Sequence, residues 1–375
     1  MAVDQTGSVV ALDTNKGLFL ITLDRPDHIV NILRHKSKKK HRVVRWNPHS
    51  SMSTILAMSD NNVCKVWDVR KHKAQTSLKQ HTALISDMCF SLIKKNILAT
   101  CSKDSHTLIW DIRSNSKRSV KCVASTKPPS SKVLFHPNLE HILATANGPD
   151  ISIWDTRKSS ESVNTFRAHS VAGVDNFIWL GVELGLLSFG KEEKILKLFD
   201  ASSKSDTLRQ SFSFTSYPLQ QVLRVPFSRR FSLLTTSQRG DHQIRLWTNN
   251  LVLEEEKKNP LHVMASGNFE RCHAYIGHSS TVVSCDWRIR GNQRQIVSWS
   301  TDRHLSLWQV HESHLRPQEE GSRDVPKRPD NVVIQTASPK VESSKGFSFD
   351  LDSMFLISLS VSLSLILSLL FPSNV

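Results

Sequence analysis

An apolar strand ending in Trp-Asp returns along this chain at an almost constant interval. Val63–Arg70 reads VCKVWDVR, Thr107–Arg113 reads TLIWDIR and Ile151–Arg157 reads ISIWDTR, so Trp67, Trp110 and Trp154 stand 43 and 44 residues apart. A fixed period of this size marks a repeat architecture, in which no unit can bury its apolar face alone and each must stack on its neighbours. Weaker copies continue the series. Ile195–Asp200 (ILKLFD) places Phe199 45 residues after Trp154, and Ile244–Thr248 (IRLWT) and Leu305–Val310 (LSLWQV) end near Trp247 and Trp308. The last interval, 61 residues, holds the charged insertion Glu254–Asn259, which reads as a loop. Two short β-like runs around Asn15-Lys16-Gly17 precede the first Trp-Asp strand, giving seven units.

Within each unit the pattern is also β. Asn96–Cys101, His141–Ala146 and Gln295–Trp299 lie one polar turn before their Trp strands, and runs such as Ile85–Phe90 and Lys132–Phe135 lie upstream of those. Three or four short strands per unit of about 45 residues make one propeller blade. The expected fold is therefore an all-β, seven-bladed propeller over residues 1–311. Its blades fall near 1–23, 40–70, 81–113, 124–157, 169–200, 217–248 and 278–310, with no long amphipathic helix. Residues 312–353, rich in Pro, Ser, Glu and Lys, read as a disordered linker. Residues 354–371 carry no charge and are just long enough to cross a bilayer. They are read either as a tail anchor with membrane contact or as an artefact of the gene assignment. Their Leu-Ser alternation is nearer to strand period than to helix period, which offers a β-prone tail as a third reading.

The six cysteines show no CxxC pairing, and the first residues lack a basic-then-apolar leader, which points to a reducing cytoplasmic compartment. Cys89 and Cys101 sit in apolar runs and are expected to be small buried hydrophobes. The net charge of +15 is partly local: Arg34, Lys36, Lys38, Lys39, Lys40 and Arg42 lie within nine residues. This is a solvated inter-blade loop or a contact patch for nucleic acid, the latter weakened by the absence of interleaved aromatics. No phosphate-binding loop, nucleophile elbow or metal-ligand spacing occurs, so the reading is of a non-enzyme with no catalytic, cofactor or metal residues.

These residues resemble the WD40 family. The third unit carries the family's polar set as His81, Thr100 or Ser102, Asp104, Trp110 and Asp111, and the last unit as His278, Ser298 or Ser300, Asp302 and Trp308. Trp67 with Asp68 and Trp154 with Asp155 carry the strand-end pair. The resemblance implies a buried hydrogen-bond chain from Trp through Ser/Thr and His to Asp. Such a chain rigidifies a blade, and its likeness to a hydrolase triad is superficial. The fifth unit has His169 but KEEK (191–194) where the Asp is expected, and the sixth has Asp241 but no matching His, so both are expected to rest mainly on apolar packing.

The order of features also resembles the amino-terminal propellers of the WD repeat-containing protein 59 family of GATOR (SEA) complex subunits. The residues carrying this are Ala2-Val3-Asp4 with Gly7, Val44–His49, His81-Thr82 with Ile85-Ser86-Asp87, His141–Thr145, Gly277-His278 and Val297–Ser300 with Asp302. The resemblance implies a protein-interaction scaffold, partnered by other propeller subunits at the lysosomal or vacuolar membrane, serving amino-acid signalling to the target-of-rapamycin kinase. The family carries a strand before the position of Met1, so blade one is expected to lack its outer strand. The family's RWD and zinc-binding RING-like regions have no counterpart here. Two other readings are an RNA- or chromatin-binding adaptor and a ubiquitin-ligase substrate receptor, the latter from the WDxR sequences ending at Arg70, Arg113 and Arg157.

Overall fold

A computed structural model of the chain describes residues 1–14, 17–24, 29–33, 43–113, 121–158, 161–170, 172–181, 184–203, 207–213, 216–226, 230–238, 241–252 and 268–315. Among them there is no α-helix, only two short 3-10 turns at Ser50–Met52 and Glu312–Leu315. The remainder builds seven antiparallel sheets. Blade one contains β1 (Ala2–Val3), β2 (Val9–Thr14), β3 (Gly17–Thr22) and β4 (Ile29–Leu33); blade two β5 (Val44–Trp46), β6 (Ile55–Asp60), β7 (Val63–Asp68) and β8 (Lys73–Leu78). Blade three contains β9 (Ile85–Phe90), β10 (Ile97–Ser102), β11 (His106–Asp111) and β12 (Lys121–Ser125); blade four β13 (Ser130–Phe135), β14 (Ile142–Asn147), β15 (Asp150–Asp155) and β16 (Asn164–Arg167). Blade five contains β17 (Val174–Trp179), β18 (Gly185–Gly190), β19 (Ile195–Asp200) and β20 (Leu208–Ser213); blade six β21 (Leu219–Arg224), β22 (Arg230–Ser237), β23 (Ile244–Val252) and β24 (Phe269–Tyr275). Among the described residues blade seven holds three strands, β25 (Val282–Arg290), β26 (Gln293–Ser300) and β27 (Leu305–Gln309).

Two expectations are corrected. Blades two to six do not stop at the Trp strand but continue into an outer strand, so blade two runs to Leu78 and blade six to Tyr275. Blade one is complete, because Ala2–Val3 pairs with Val10–Ala11 as the innermost strand and β4 pairs with β3 on the other side. Among the described residues the three-stranded blade is the seventh. After β27 the chain leaves the sheet, and the turn Glu312–Leu315 packs instead on blade six, where His314 stacks on His273 at 3.9 Å and meets the Tyr275 hydroxyl at 3.2 Å.

The hydrophobic core is divided into seven clusters, each filled from two successive blades. Ile55, Val66 and Leu78 of blade two meet Met88, Leu98 and Trp110 of blade three; Val297 and Leu305 of blade seven meet Val10, Phe19 and Ile21 of blade one. Burying one such side chain contributes about 1.5–3 kcal/mol, so the interfaces between blades hold the ring together. Near the axis, polar side chains on the innermost strands tie each blade to the next. Arg45 pairs with Asp87 at 2.8 Å, Gln221 exchanges two hydrogen bonds with the Cys285 backbone, and the half-buried Asp286 accepts the Val3 amide at 2.9 Å. Arg288 is buried and reaches from blade seven to blade one. It donates to the Gly7 carbonyl at 2.7 Å and to Gln295 at 2.8 Å, and pairs with Asp24.

Candidate interaction surface

The hairpin alternation of the strands sorts the loops onto two faces. The first carries the connections between blades and the turns between each second and third strand. There, in blade three, the Trp110 indole donates to the Thr100 hydroxyl at 2.8 Å, Thr100 meets His81 Nε2 at 2.7 Å, and His81 Nδ1 meets Asp104 at 2.8 Å. A carboxylate only accepts, so the proton sits on Nδ1 and Thr100 donates to Nε2, which leaves no member unpaired. Asp104 also accepts the amides of Thr82 and His106, fastening the inter-blade loop to the turn. Blade seven repeats the arrangement with Trp308, Ser298, His278 and Asp302 at 2.7, 2.7 and 3.0 Å. Of the hydroxyls left open by the sequence, Thr100 and Ser298 carry the chain, while Ser102 and Ser300 accept the turn amides of Asp104 and Asp302.

Blade five departs from expectation. His169 bonds Ser188 at 2.8 Å and Glu193 at 2.6 Å, so the glutamate within KEEK takes the place of the Asp and the network stands, with Phe199 where the tryptophan would be. Glu193 lies 24 residues after His169, the same step that separates His278 from Asp302, and that spacing is the signal that would have found it. Blade six keeps Trp247 on Thr235 at 2.8 Å and pairs Asp241 with Arg245. In blade four Trp154 bonds Thr145 at 2.9 Å, whereas the Trp67 indole N–H of blade two is buried without a partner among the described residues. The strand-end aspartates hold the turns beyond them: Asp68, Asp111 and Asp155 accept the amides of Arg70, Arg113 and Arg157. Arg113 and Arg157 fold back onto those same carboxylates, so two of the three exposed WDxR arginines are already paired. In His81 and Thr100 the resemblance to a hydrolase ends on access, since both lie buried.

Burial pushes His81, His169 and His278 below the usual imidazole value, against the pull of their carboxylates. His314, desolvated and beside His273 and His311, is pushed down to about 4. A neutral histidine in the folded state beside one that protonates near 6.5 when unfolded contributes stability that is present above 6.5 and is lost as pH falls below it. Asp104, Glu193 and Asp302 act in the same direction. Their burial is outweighed by hydrogen bonds and the facing histidines, which hold each carboxyl below its ordinary value. The melting temperature should therefore change little between pH 7.5 and pH 7 and fall as the pH drops from 6.5 to 5. A flat profile over that window would show that the histidines do not stay neutral in the folded ring.

The opposite face carries the loops joining first and second strands, and from blade two to blade five each is tied to the next. Asn47 donates to the Lys95 carbonyl at 2.7 Å, His49 meets the Ser91 carbonyl at 3.0 Å, Lys94 pairs with Glu140, and Asn138 donates to the Gly181 carbonyl at 2.6 Å. On this braced belt Leu92, Ile93 and Leu139 are 50%, 41% and 42% exposed. Among the described residues no group of three potential metal ligands exists, and no helix is long and apolar enough to cross a membrane. The basic run Arg34–Arg42, the insertion 254–259, the linker from residue 316 on and residues 354–371 lie outside the described residues, whereas residues 312–315, expected as the start of the linker, form the turn on blade six.

The WD domain, G-beta repeat family profile matches residues 72–111, which cover the outer strand of blade two and blade three through Asp111. The chain therefore carries a WD40 repeat there. Its likeness to other WD40 proteins is not confined to one repeat. It is 31% identical over 84% of its length to a WD repeat-containing protein of Dictyostelium discoideum, of which it spans 16%. It is 27% identical over 83% of its length to the GATOR2 complex protein WDR59 of Homo sapiens, of which it spans 30%. It is also 25% identical over 84% of its length to Maintenance of telomere capping protein 5 of Saccharomyces cerevisiae, of which it spans 27%. The chain thus spans less than a third of these relatives. Among solved structures, a chain of the Mitotic Checkpoint Complex superposes with a TM-score of 0.66 at 15% identity, covering 83% of this chain and 86% of that one, a likeness of fold alone.

Proposed function

We propose that this propeller is a non-catalytic scaffold in a GATOR2/SEA-type complex, holding other propeller-containing subunits together. In this reading the complex signals amino-acid sufficiency to the target-of-rapamycin kinase at the lysosomal or vacuolar membrane. The observation that carries it is the extent of the likeness to the GATOR2 protein, 83% of the chain, and so nearly the whole ring rather than the repeat shared by all WD40 proteins. The belt of braced loops supports the same reading, since exposed apolar side chains on a rigid frame suit protein contact.

The test is affinity purification of the tagged full chain from its native cells, at low and at raised salt. Propeller-rich subunits should be recovered at both. Recovery of RNA or chromatin proteins that disappear with salt would overturn the reading, because phosphate contacts are lost as ions compete. The double variant Leu92→Asp, Ile93→Asp should cut recovery of those subunits about tenfold, one such factor being worth about 1.4 kcal/mol, without moving the melting temperature. Undiminished recovery would exclude the belt as the contact face.

A further inference from the structure

The loops joining first and second strands in blades three and four bring an apolar patch and an excess of cations together. Lys94 and Glu140 pair across the two loops, which sets Leu92 and Ile93 of one near Leu139 of the other, all three well exposed. Both loops are held from behind. The Ser91 hydroxyl accepts the Ile93 and Lys94 amides at 3.2 and 3.0 Å, and His136 Nδ1 accepts the Asn138 and Leu139 amides at 3.1 and 2.9 Å. The Ile112 amide bonds the Asn96 carbonyl at 2.9 Å and the Thr156 amide the His141 carbonyl at 2.8 Å, so the turns after β11 and β15 lie against these loops. Lys121 reaches from β12 to the second of those turns and donates to the Thr156 and Lys158 carbonyls at 2.7 and 2.9 Å. The patch is thus fixed before any partner arrives, and docking on it costs little further ordering.

Six cations, Lys94, Lys95, Arg113, Lys121, Arg157 and Lys158, stand in and beside these loops and turns against three carboxylates, Asp111, Glu140 and Asp155. Each carboxylate is held by a cation of the set: Asp111 by Arg113, Asp155 by Arg157 and Glu140 by Lys94. The remaining positive charge belongs to Lys121, turned onto its two carbonyls, and to Lys95 and Lys158, both exposed. A surface of this make-up attracts carboxylates and buries aliphatic side chains. Nucleic acid fits it poorly, since Leu92, Ile93 and Leu139 are aliphatic and offer no plane on which a base could stack. An anionic bilayer would press its headgroups on the three carboxylates as well as on the lysines, whereas a peptide can set one carboxylate over Lys95 and another over Lys158. We propose, resting on the scaffold reading above, that this patch receives an acidic segment of a partner subunit. Its aliphatic side chains cover Leu92, Ile93 and Leu139, and its flanking Asp or Glu side chains meet Lys95 and Lys158.

The experiment uses the tagged full chain purified from its native cells, with propeller-containing subunits identified and measured by mass spectrometry. Lys95→Glu with Lys158→Glu sets like charges against the partner and should cut recovery of those subunits about tenfold, without moving the melting temperature. Lys103→Glu, at an exposed lysine on the other face, should leave recovery unchanged. Zero-length carbodiimide coupling of the unaltered assembly should join Lys95 or Lys158 to an Asp or Glu of a recovered subunit, in a stretch that also holds aliphatic residues. Full recovery with the lysine double variant, while Leu92→Asp, Ile93→Asp loses the subunits, overturns the proposal and leaves a contact face for an uncharged partner. An equal loss with Lys103→Glu overturns it as well, since the effect would then belong to the charge of the whole ring. Flotation of the unaltered chain with phosphatidylserine vesicles, lost in the lysine double variant, also overturns it and assigns the patch to a bilayer. If the unaltered chain recovers no propeller-containing subunit, the scaffold reading itself has failed and the acidic partner falls with it.

Discussion

Trp110→Ala should cost about 3–5 kcal/mol of folding free energy, the range for emptying an aromatic site in a packed core. The indole is 1% exposed, fills the interface between blades two and three, and donates to Thr100. Total stability of a domain is about 5–15 kcal/mol, so this single change consumes a large share of it. Trp110→Phe separates the two roles. It keeps most of the ring's burial and removes the hydrogen bond, and should cost about 1 kcal/mol. Blade five already lives with that arrangement, having Phe199 at the matching place over an intact His169 network. Denaturant unfolding of both variants decides the matter. Equal, small losses would mean that this interface relaxes to fill the cavity and that the tryptophan is not a keystone of the ring.

Arg288→Ala should be nearly as damaging, at about 3 kcal/mol, because it strands a bonded carbonyl and breaks a charge pair across the seam where the ring closes. Its side chain is 6% exposed and binds Gly7, Asp24 and Gln295 at once. Arg290 supplies the control. It meets the same Asp24 carboxylate, but at 51% exposure water screens the pair, and Arg290→Ala should change stability by less than about 1 kcal/mol. If the two variants unfold at the same denaturant concentration, the blade-seven to blade-one seam does not depend on the buried guanidinium.

Much of this architecture was legible from a few strands, and the reason is how completely those strands are buried. Second and third strands of a blade are covered on both faces, so their apolar runs stand out and end at a fixed tryptophan. The outer strands escaped notice because only one of their faces is covered. β8 reads Lys-Ala-Gln-Thr-Ser-Leu and buries Leu78 fully, and β20 buries Phe212 alone. One apolar residue in six leaves no period to detect. The sequence pattern therefore ends each blade at its Trp strand, one strand too early, and the Trp period carries no mark of which blade holds three strands among the described residues. Glu193 stands outside the Asp pattern of the turn, although its one further methylene lets it reach the same imidazole. The belt of loops could not be read at all. Its ties join residues 42–48 positions apart, and nothing local in Asn47 or Asn138 announces which carbonyl each will find.

Each hydrophobic cluster belongs jointly to two neighbours, and in a closed ring this makes the number of repeats a quantised property. A linear solenoid can lose or gain a unit and keep every remaining junction. Removing one blade here would delete the halves of two clusters and ask the other blades to meet at a new angle, so that all seven junctions would be recut at once. Duplication would do the reverse. Drift in single side chains, from Trp to Phe or from Asp to Glu, leaves the angle alone, which is why the individual copies have been free to diverge while the count has not.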